Sequence, residues 1–281
     1  MNNPDSDSLN GSYIDLHIHS TFSDGLFSPK KILEVAKERR LKAISITDHD
    51  TVASSRCAAE LGRQYGIEVI SGIEMSITCL QCEVHLLGYF IDENSGPIKR
   101  YAEMLMEARD QRARKIVRVL QKQGVDISFE QVALKANGAP IGRPHIAEVL
   151  VEEGYVFSTY EAFQKYLGEN KPAAIPKMTI DAKKAVEMIK EAGGLVFIAH
   201  PATIGCCEDA LKKLVGFGVD GLETIHPKHN AEMQKHYREV ARRYNLLESG
   251  GSDCHGGRDG TVMIGFPPVP KIFLDRMKNR L

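Results

Sequence analysis

The stretch Asp15-Leu16-His17-Ile18-His19-Ser20-Thr21-Phe22-Ser23-Asp24-Gly25 constrains this chain more than any other. Apolar and imidazole side chains alternate through its first half, the pattern of a β-strand with two distinct faces. His17 and His19 therefore project together, while Leu16 and Ile18 face the packing. Asp24 follows five residues after His19, and Gly25 lets the loop turn sharply. Two imidazoles and a carboxylate converging at the end of a strand are how a metal site begins.

The same design recurs along the chain. Ala43 to Thr47 runs into Asp48-His49-Asp50, Glu68 to Glu74 delivers a carboxylate, and Glu83 to Phe90 carries His85. Later, Leu195 to Ala199 leads into His200-Pro201, Val219 to His226 closes on Glu223-Thr224-Ile225-His226, and Leu246 to Ser252 precedes Asp253-Cys254-His255. Helices are expected between strands: Ser28-Pro29 is an N-cap hydroxyl followed by proline, and Ser54 to Tyr65 and Thr179 to Ala192 read as further helices. Strand–helix alternation with chemistry at the strand C-termini is the pattern of an α/β protein, a parallel β/α barrel. Residues 97–175 break it. Ile98, Tyr101, Leu105, Ala108, Ile116, Val119 and Leu120 recur at helical spacing, Gly142-Arg143-Pro144-His145 opens a second helix, and Ser158 to Leu167 a third. The expected organisation is a disordered leader over 1–12, a barrel over 13–96 and 176–281, and an inserted helical cap over 97–175.

Nine side chains collect at the strand ends: His17, His19, Asp24, His49, Glu74, His85, His200, Asp253 and His255. A lone strand-end histidine is usually structural. Nine such groups at equivalent positions of one barrel would repel and desolvate one another without cations, so metal binding is the economical explanation.

On these motifs, Asp15-Leu16-His17-Ile18-His19 with Asp24-Gly25, Thr47-Asp48-His49-Asp50, Gly72-Ile73-Glu74 with His85, His200-Pro201 and Ser252-Asp253-Cys254-His255, the sequence resembles the polymerase and histidinol phosphatase (PHP) superfamily of metal-dependent phosphoesterases. The resemblance implies a distorted seven-stranded β/α barrel holding up to three divalent ions, Mn, Fe or Zn, with Mn favoured. It implies one ion on His17, His19, Glu74 and Asp253, a second on Glu74, His85 and His200, and a third on Asp24, His49 and His255. Such ions share an activated hydroxide and leave a positive site that attracts an anion.

Arg143 offers a bidentate fork for phosphate at a helix N-terminus. His145 either assists it or caps the helix. Gly-Arg-Pro-His resembles an element of the nucleotide-directed branch, the 3′,5′-nucleoside bisphosphate phosphatases, some of which also trim short RNA from the 5′ end. Release of the 3′-phosphate from adenosine 3′,5′-bisphosphate is the specific expectation. Arg112 or Lys115, in a run that is otherwise a solvated helix face, would hold the second phosphate, and Asp50 serves as support or meets a ribose hydroxyl. His226 is a phosphate contact or the proton donor to the leaving alcohol, whereas His229 and His236 read as surface residues. Histidinol-phosphate hydrolysis is the competing activity, and a non-catalytic metal or nucleotide sensor the competing class.

Composition sets the outer bounds. The chain has 281 residues and a net charge of −1, with no basic excess for duplex nucleic acid, so a nucleic-acid partner is small or single-stranded. No run approaches a membrane span. Six cysteines are too sparse for a disulfide scaffold; reduced thiols in a cytoplasm, with Cys79-Leu80-Gln81-Cys82 as a hairpin, are the simpler reading.

Overall fold

The computed structural model describes residues 12–204, 207–257 and 260–281. The expected leader, apart from Ser12, and Cys206 lie outside the described residues. The sheet comprises β1 (Tyr13–Ile18), β2 (Ala43–Ile46), β3 (Glu68–Cys79), β4 (Cys82–Tyr89), β5 (Ile180–Asp181), β6 (Leu195–Ile198), β7 (Gly221–Ile225), β8 (Leu247–Gly250) and β9 (Val269–Pro270). Seven of these follow the order β8-β7-β6-β4-β3-β2-β1, with β9 beside β1 and β5 beside β3. The ends of the series meet. His19 N donates to Cys254 O at 3.0 Å and Asp253 N to His17 O at 2.8 Å, which nearly closes the sheet into the expected seven-stranded barrel. Gly251 permits this approach, since a Cβ there would lie 2.4 Å from the His17 backbone nitrogen.

The barrel is not wholly parallel, as the sequence pattern suggested. β4 runs antiparallel to both neighbours, β3 and β6. The cause is local: Leu80 and Gln81, both at positive φ (49° and 66°), form a two-residue turn that reverses the chain with no helical crossover. Glu74 and His85 therefore lie within strands rather than at their ends. β3 continues past Glu74 to Cys79, and this extension pairs with β5.

Ile14, Leu16, Leu87, Tyr89, Phe197 and Leu247 form one apolar cluster with Phe273, Leu274 and Met277. A different cluster takes Ile18 with Ile32 and Leu33. Leu16 and Ile18 thus do not share a face, because the β1–β2 register shifts between Asp15 and Ile18. Such irregularities re-aim side chains next to sites.

The covering helices are α1 (Pro29–Glu38) and α2 (Ser55–Tyr65), followed by the insertion α3 (Gly96–Lys122), α4 (Phe129–Ala136), α5 (Arg143–Glu152) and α6 (Thr159–Ala162). Then come α7 (Ala182–Glu191), α8 (Cys207–Gly216), α9 (Ala231–Arg243) and α10 (Ile272–Lys278). α6 runs directly into a π-helical turn, Phe163–Leu167. Sequence periodicity found α3 and α5 but missed α4, which a Ser128–Gln131 capping box starts and Asn137 in a left-handed conformation ends. The insertion has its own apolar core, with Ile116, Leu120, Val132, Ile146, Leu150 and Leu167 among its members. Among the described residues no helix is long and apolar enough to cross a membrane.

The Cys79–Cys82 segment is the expected hairpin, but Cys82 is disulfide-bonded, which corrects the expectation of reduced thiols throughout. Cys57 and Cys254 are free thiols. His229 is buried rather than superficial, with Nδ1 3.2 Å from Thr224 O.

Candidate metal centre and the cleft beside it

Glu74 is the hub of the site. Its Oε2 lies 3.3 Å from His17 Nε2, 3.1 Å from His19 Nε2 and 3.1 Å from His49 Nδ1. Its Oε1 lies 2.7 Å from His85 Nδ1 and 2.9 Å from His200 Nε2. Asp253 Oδ1 stands 3.5 Å from His17 Nε2 and 3.2 Å from His19 Nε2, and Asp24 Oδ1 is 3.4 Å from His255 Nε2. All nine residues singled out at the strand ends thus come together. Eight of them fall into overlapping donor sets, His17-His19-Glu74-Asp253, His19-Asp24-His49-His255 and His49-Glu74-His85, each compact enough to surround one ion, and His200 joins through Glu74.

The charges fit that use. Burial would raise Glu74, yet His49, His85 and His17 hold it well below the usual carboxylate range, and the surrounding histidines do the same for Asp253. Burial presses His19 downward, but Asp253 and Glu74 outweigh it and lift the ring to about 10; His49, where burial dominates, falls to about 3. The carboxylates are ionised and demand positive charge. Meanwhile His17 Nε2, both nitrogens of His19, His49 Nδ1 and Glu74 Oε2 are buried without a hydrogen-bond partner. Buried polar atoms aimed at one point are what divalent cations satisfy.

Loop anchors fix these donors. Asp48, fully buried, accepts from Ser20 N, Ser20 Oγ and Ser23 Oγ at 2.7 Å each and from Ser54 Oγ at 2.5 Å, pinning the loop that carries Asp24. Gly25 serves close approach rather than an unusual φ: a Cβ there would sit 2.3 Å from His19 O. His200 and Asp253 have positive φ (25° and 49°), which costs about 1–3 kcal/mol each and marks sites whose surroundings enforce the geometry.

Glu223 is the principal residue that sequence reasoning missed. It is fully buried, lies 3.1 Å from His17 Nδ1, and accepts from His200 N at 2.7 Å. Orienting a ligand histidine through its second nitrogen is a recurrent carboxylate role. His226, chosen from the same strand, is three residues away, so period-2 alternation gave no reason to join them. His226 Nδ1 accepts from Lys228 N at 3.0 Å, which leaves the ring proton on Nε2, 3.3 Å from Asp253 Oδ2.

A cleft of about 350 Å³ opens from Asp24, His49 and His85 toward Arg109, Arg112, Arg143 and Lys177. Burial, then Arg143 and Arg109, bring Arg112 down to about 10. Lys177, in an irregular segment with no periodic signal, lies 2.9 Å from His85 Nε2 and 2.7 Å from Glu83 Oε1. Arg109 and Lys177 are paired with Asp50 and Glu83, whereas Arg112 and Arg143 repel each other across the cleft and make that part of it an anion site.

The structure corrects one substrate expectation, Lys115, and takes the non-substrate alternative for His145 and Asp50. Lys115 is exposed and does not line this cleft; on α3 the residues turned inward are Arg109 and Arg112. His145 is buried, and its Nδ1 accepts from Gly142 N at 3.0 Å, so it caps α5 instead of reaching outward. Asp50 is fully buried and saturated by Ser76 N, Tyr101 Oη and the Arg109 guanidinium, leaving no acceptor for a ribose hydroxyl. It ties α3 to the barrel next to His49.

A model of the PHP domain matches residues 15–153. The phosphoribosyl 1,2-cyclic phosphate 1,2-diphosphodiesterase of Eggerthella lenta is 32% identical over 257 residues, covering 90% of this chain and 97% of its own length. The 5′-3′ exoribonuclease of Haemophilus influenzae is 31% identical, covering 86% and 89%. The 3′,5′-nucleoside bisphosphate phosphatase of Chromobacterium violaceum is 30% identical, covering 95% and 97%. A solved structure from Bifidobacterium adolescentis, described provisionally as a metal-dependent phosphoesterase, superposes with a TM-score of 0.88 at 28% identity, covering 95% of this chain and 96% of that one.

Proposed function

This chain belongs to the PHP family and is a hydrolase of phosphate esters, and from that premise we propose that it removes the 3′-phosphate from 3′,5′-nucleoside bisphosphates, with 5′-3′ trimming of short single-stranded RNA as a related activity. The observation carrying this is the continuity of the cleft, which joins the donor cluster to Arg112, Arg143 and Lys177. A substrate with two phosphates on one pentose meets both ends. The names of the Eggerthella and Chromobacterium relatives each describe a pentose bearing two phosphate groups, so the cyclic phosphate is the second reading to test.

In this reading His17, His19, Glu74 and Asp253 hold one divalent ion, Glu74, His85 and His200 a second, and Asp24, His49 and His255 a third, Mn suiting the mixed imidazole and carboxylate set. Bound ions supply Lewis-acid neutralisation of phosphoryl oxygens and lower the pKa of water. Arg143 and Lys177 clamp the non-reacting phosphate and fix the substrate's direction. Glu223 orients His17, and His226 Nε2 holds the proton destined for the leaving alcohol. Residues 97–175 act as a cap domain whose Arg112 and Arg143 complete the cleft. A nucleotide substrate points to the cytoplasm, where the Cys82 disulfide is the exception.

Phosphate release from adenosine 3′,5′-bisphosphate, phosphoribosyl 1,2-cyclic phosphate and histidinol phosphate, each with the same Mn²⁺ loading, tests the proposal. The bisphosphate should be turned over fastest, and Arg143→Ala should slow it far more than histidinol phosphate. Equal rates on bisphosphate and histidinol phosphate would remove the case for a second phosphate subsite.

A further inference from the structure

We propose that Phe163 is the platform on which the base of the substrate stacks, so that the cleft selects nucleotides over base-free sugar phosphates; this rests on the reading above. The cleft is not uniformly charged. Phe163, Pro144, Ile175 and Pro176 line it together with the arginines, and a substrate made only of sugar and phosphate offers this apolar part of the wall nothing to cover. A nucleobase supplies a flat apolar face.

The backbone holds the ring and the phosphate clamp as one unit. Phe163 is the first residue of the π-helical turn and Leu167 the last. Leu167 O accepts from Arg143 Nη1 at 3.1 Å, and Gly168 N closes the turn on Phe163 O at 2.8 Å. Gly168 allows this, because a Cβ there would lie 2.6 Å from Phe163 O. Short π-helical segments recur at functional sites, where the wider turn displaces a side chain from the ordinary helical spiral. The Arg143 guanidinium carbon lies over the Phe163 ring, 5.6 Å from its centroid, so a base stacking there shares the ring face with the guanidinium, and a phosphate gripped by that arginine leaves the rest of its nucleotide beside the ring. Phe163 also packs on the core of the insertion, and a purely structural role is the alternative to exclude.

The chain contains no tryptophan, which makes Phe163→Trp a site-specific probe. AMP should quench the fluorescence of F163W while ribose 5-phosphate, carrying the same phosphate without a base, should leave it unchanged. In the Mn²⁺-loaded enzyme, Phe163→Leu keeps apolar bulk but removes the aromatic face. It should lower kcat/KM for adenosine 3′,5′-bisphosphate roughly ten- to a hundredfold, mainly through KM, as loss of one stacked base does. Its kcat/KM for the tetrahydrofuran 3,5-bisphosphate that lacks a base should stay within about twofold of wild type. Equal losses on both substrates, or quenching by ribose 5-phosphate as strong as by AMP, would overturn the proposal and reduce Phe163 to a support for Arg143. If wild type hydrolysed neither substrate, the functional reading would fall, while the F163W titration would still decide whether a base binds there.

Discussion

The donor cluster and the cationic cleft meet at His49 and His85 yet are built on opposite principles. His17, Glu74 and His85 sit on β-strands, and the other donors sit on short loops tied back to the sheet, as in the contacts of Asp253 N with His17 O and of Asp50 N with Glu74 O. The cleft's cations hang on helices and an irregular return, Arg112 and Arg143 each by a single hydrogen bond, Arg112 Nε to Ile175 O and Arg143 Nη1 to Leu167 O. Register makes the first region rigid and repetitive. Single tethers make the second adjustable, so that its side chains can be exchanged without disturbing the donor cluster.

The largest effect is expected where the two regions are riveted together. Arg109→Met leaves Asp50 as an unpaired buried charge and should cost about 3–5 kcal/mol of stability in denaturant unfolding at neutral pH. Arg109 holds the Asp50 pKa low against burial, so the pair's contribution is complete above the unfolded carboxylate pKa and fades as pH falls through the folded one. The variant's deficit should therefore shrink in acid; a deficit that grows there would mean the ion pair is not the tie.

Within the donor cluster, Glu74→Gln should reduce phosphate release by about a hundredfold or more and lower bound metal measured by elemental analysis, since five histidines converge on that carboxylate. Metal affinity should also climb with pH. His17 is raised well above its ordinary value and His19 to about 10, so both carry protons near neutrality that an incoming cation must displace. Roughly tenfold tighter binding per pH unit for each displaced proton is expected, the His19 contribution levelling off above about pH 10. Calorimetry in buffers of different ionisation enthalpy counts the protons; none released would mean the histidines are neutral before binding.

Glu223→Gln should weaken metal retention against a chelator by about ten- to a hundredfold while thermal stability changes little, separating orientation of His17 from bulk packing. The smallest effect sharpens the contrast within α3. Lys115→Ala should leave turnover unchanged and stability within about 0.5 kcal/mol, whereas Arg112→Ala should raise KM for the bisphosphate. Matching losses in both would put the second phosphate on the outer face of the helix.

What could be read from the sequence follows the same division. Strand-end motifs keep the donors within a few residues of one another in the chain, so His17, His19, Asp24 and the His49, His200 and Asp253 segments were visible as chemistry. Residues that act through long-range contact were not. Lys177 lies in a segment without periodicity, and Glu223 breaks the alternation shared with His226. The helical run Arg109 to Arg118 offers five cations of which only tertiary packing selects Arg109 and Arg112. The Cys79–Cys82 hairpin was legible even though Leu80 and Gln81 lack an Asn-Gly signature, but the strand–helix pattern of the whole chain still read as parallel and hid the antiparallel β4 that this hairpin requires.

That reversed hairpin has a reach beyond its own two strands. β3 outgrows the barrel and lends its edge to β5, with Ile77 opposite Ile180 and Thr78 opposite Asp181. The chain coming back from the insertion is thereby docked at a chosen height, three residues after Lys177. Sliding β5 by two positions along β3 would preserve which side chains face inward yet carry the lysine about 7 Å along the rim. The hairpin is a ruler, and its graduations set how far apart two anionic groups on a bound molecule must stand.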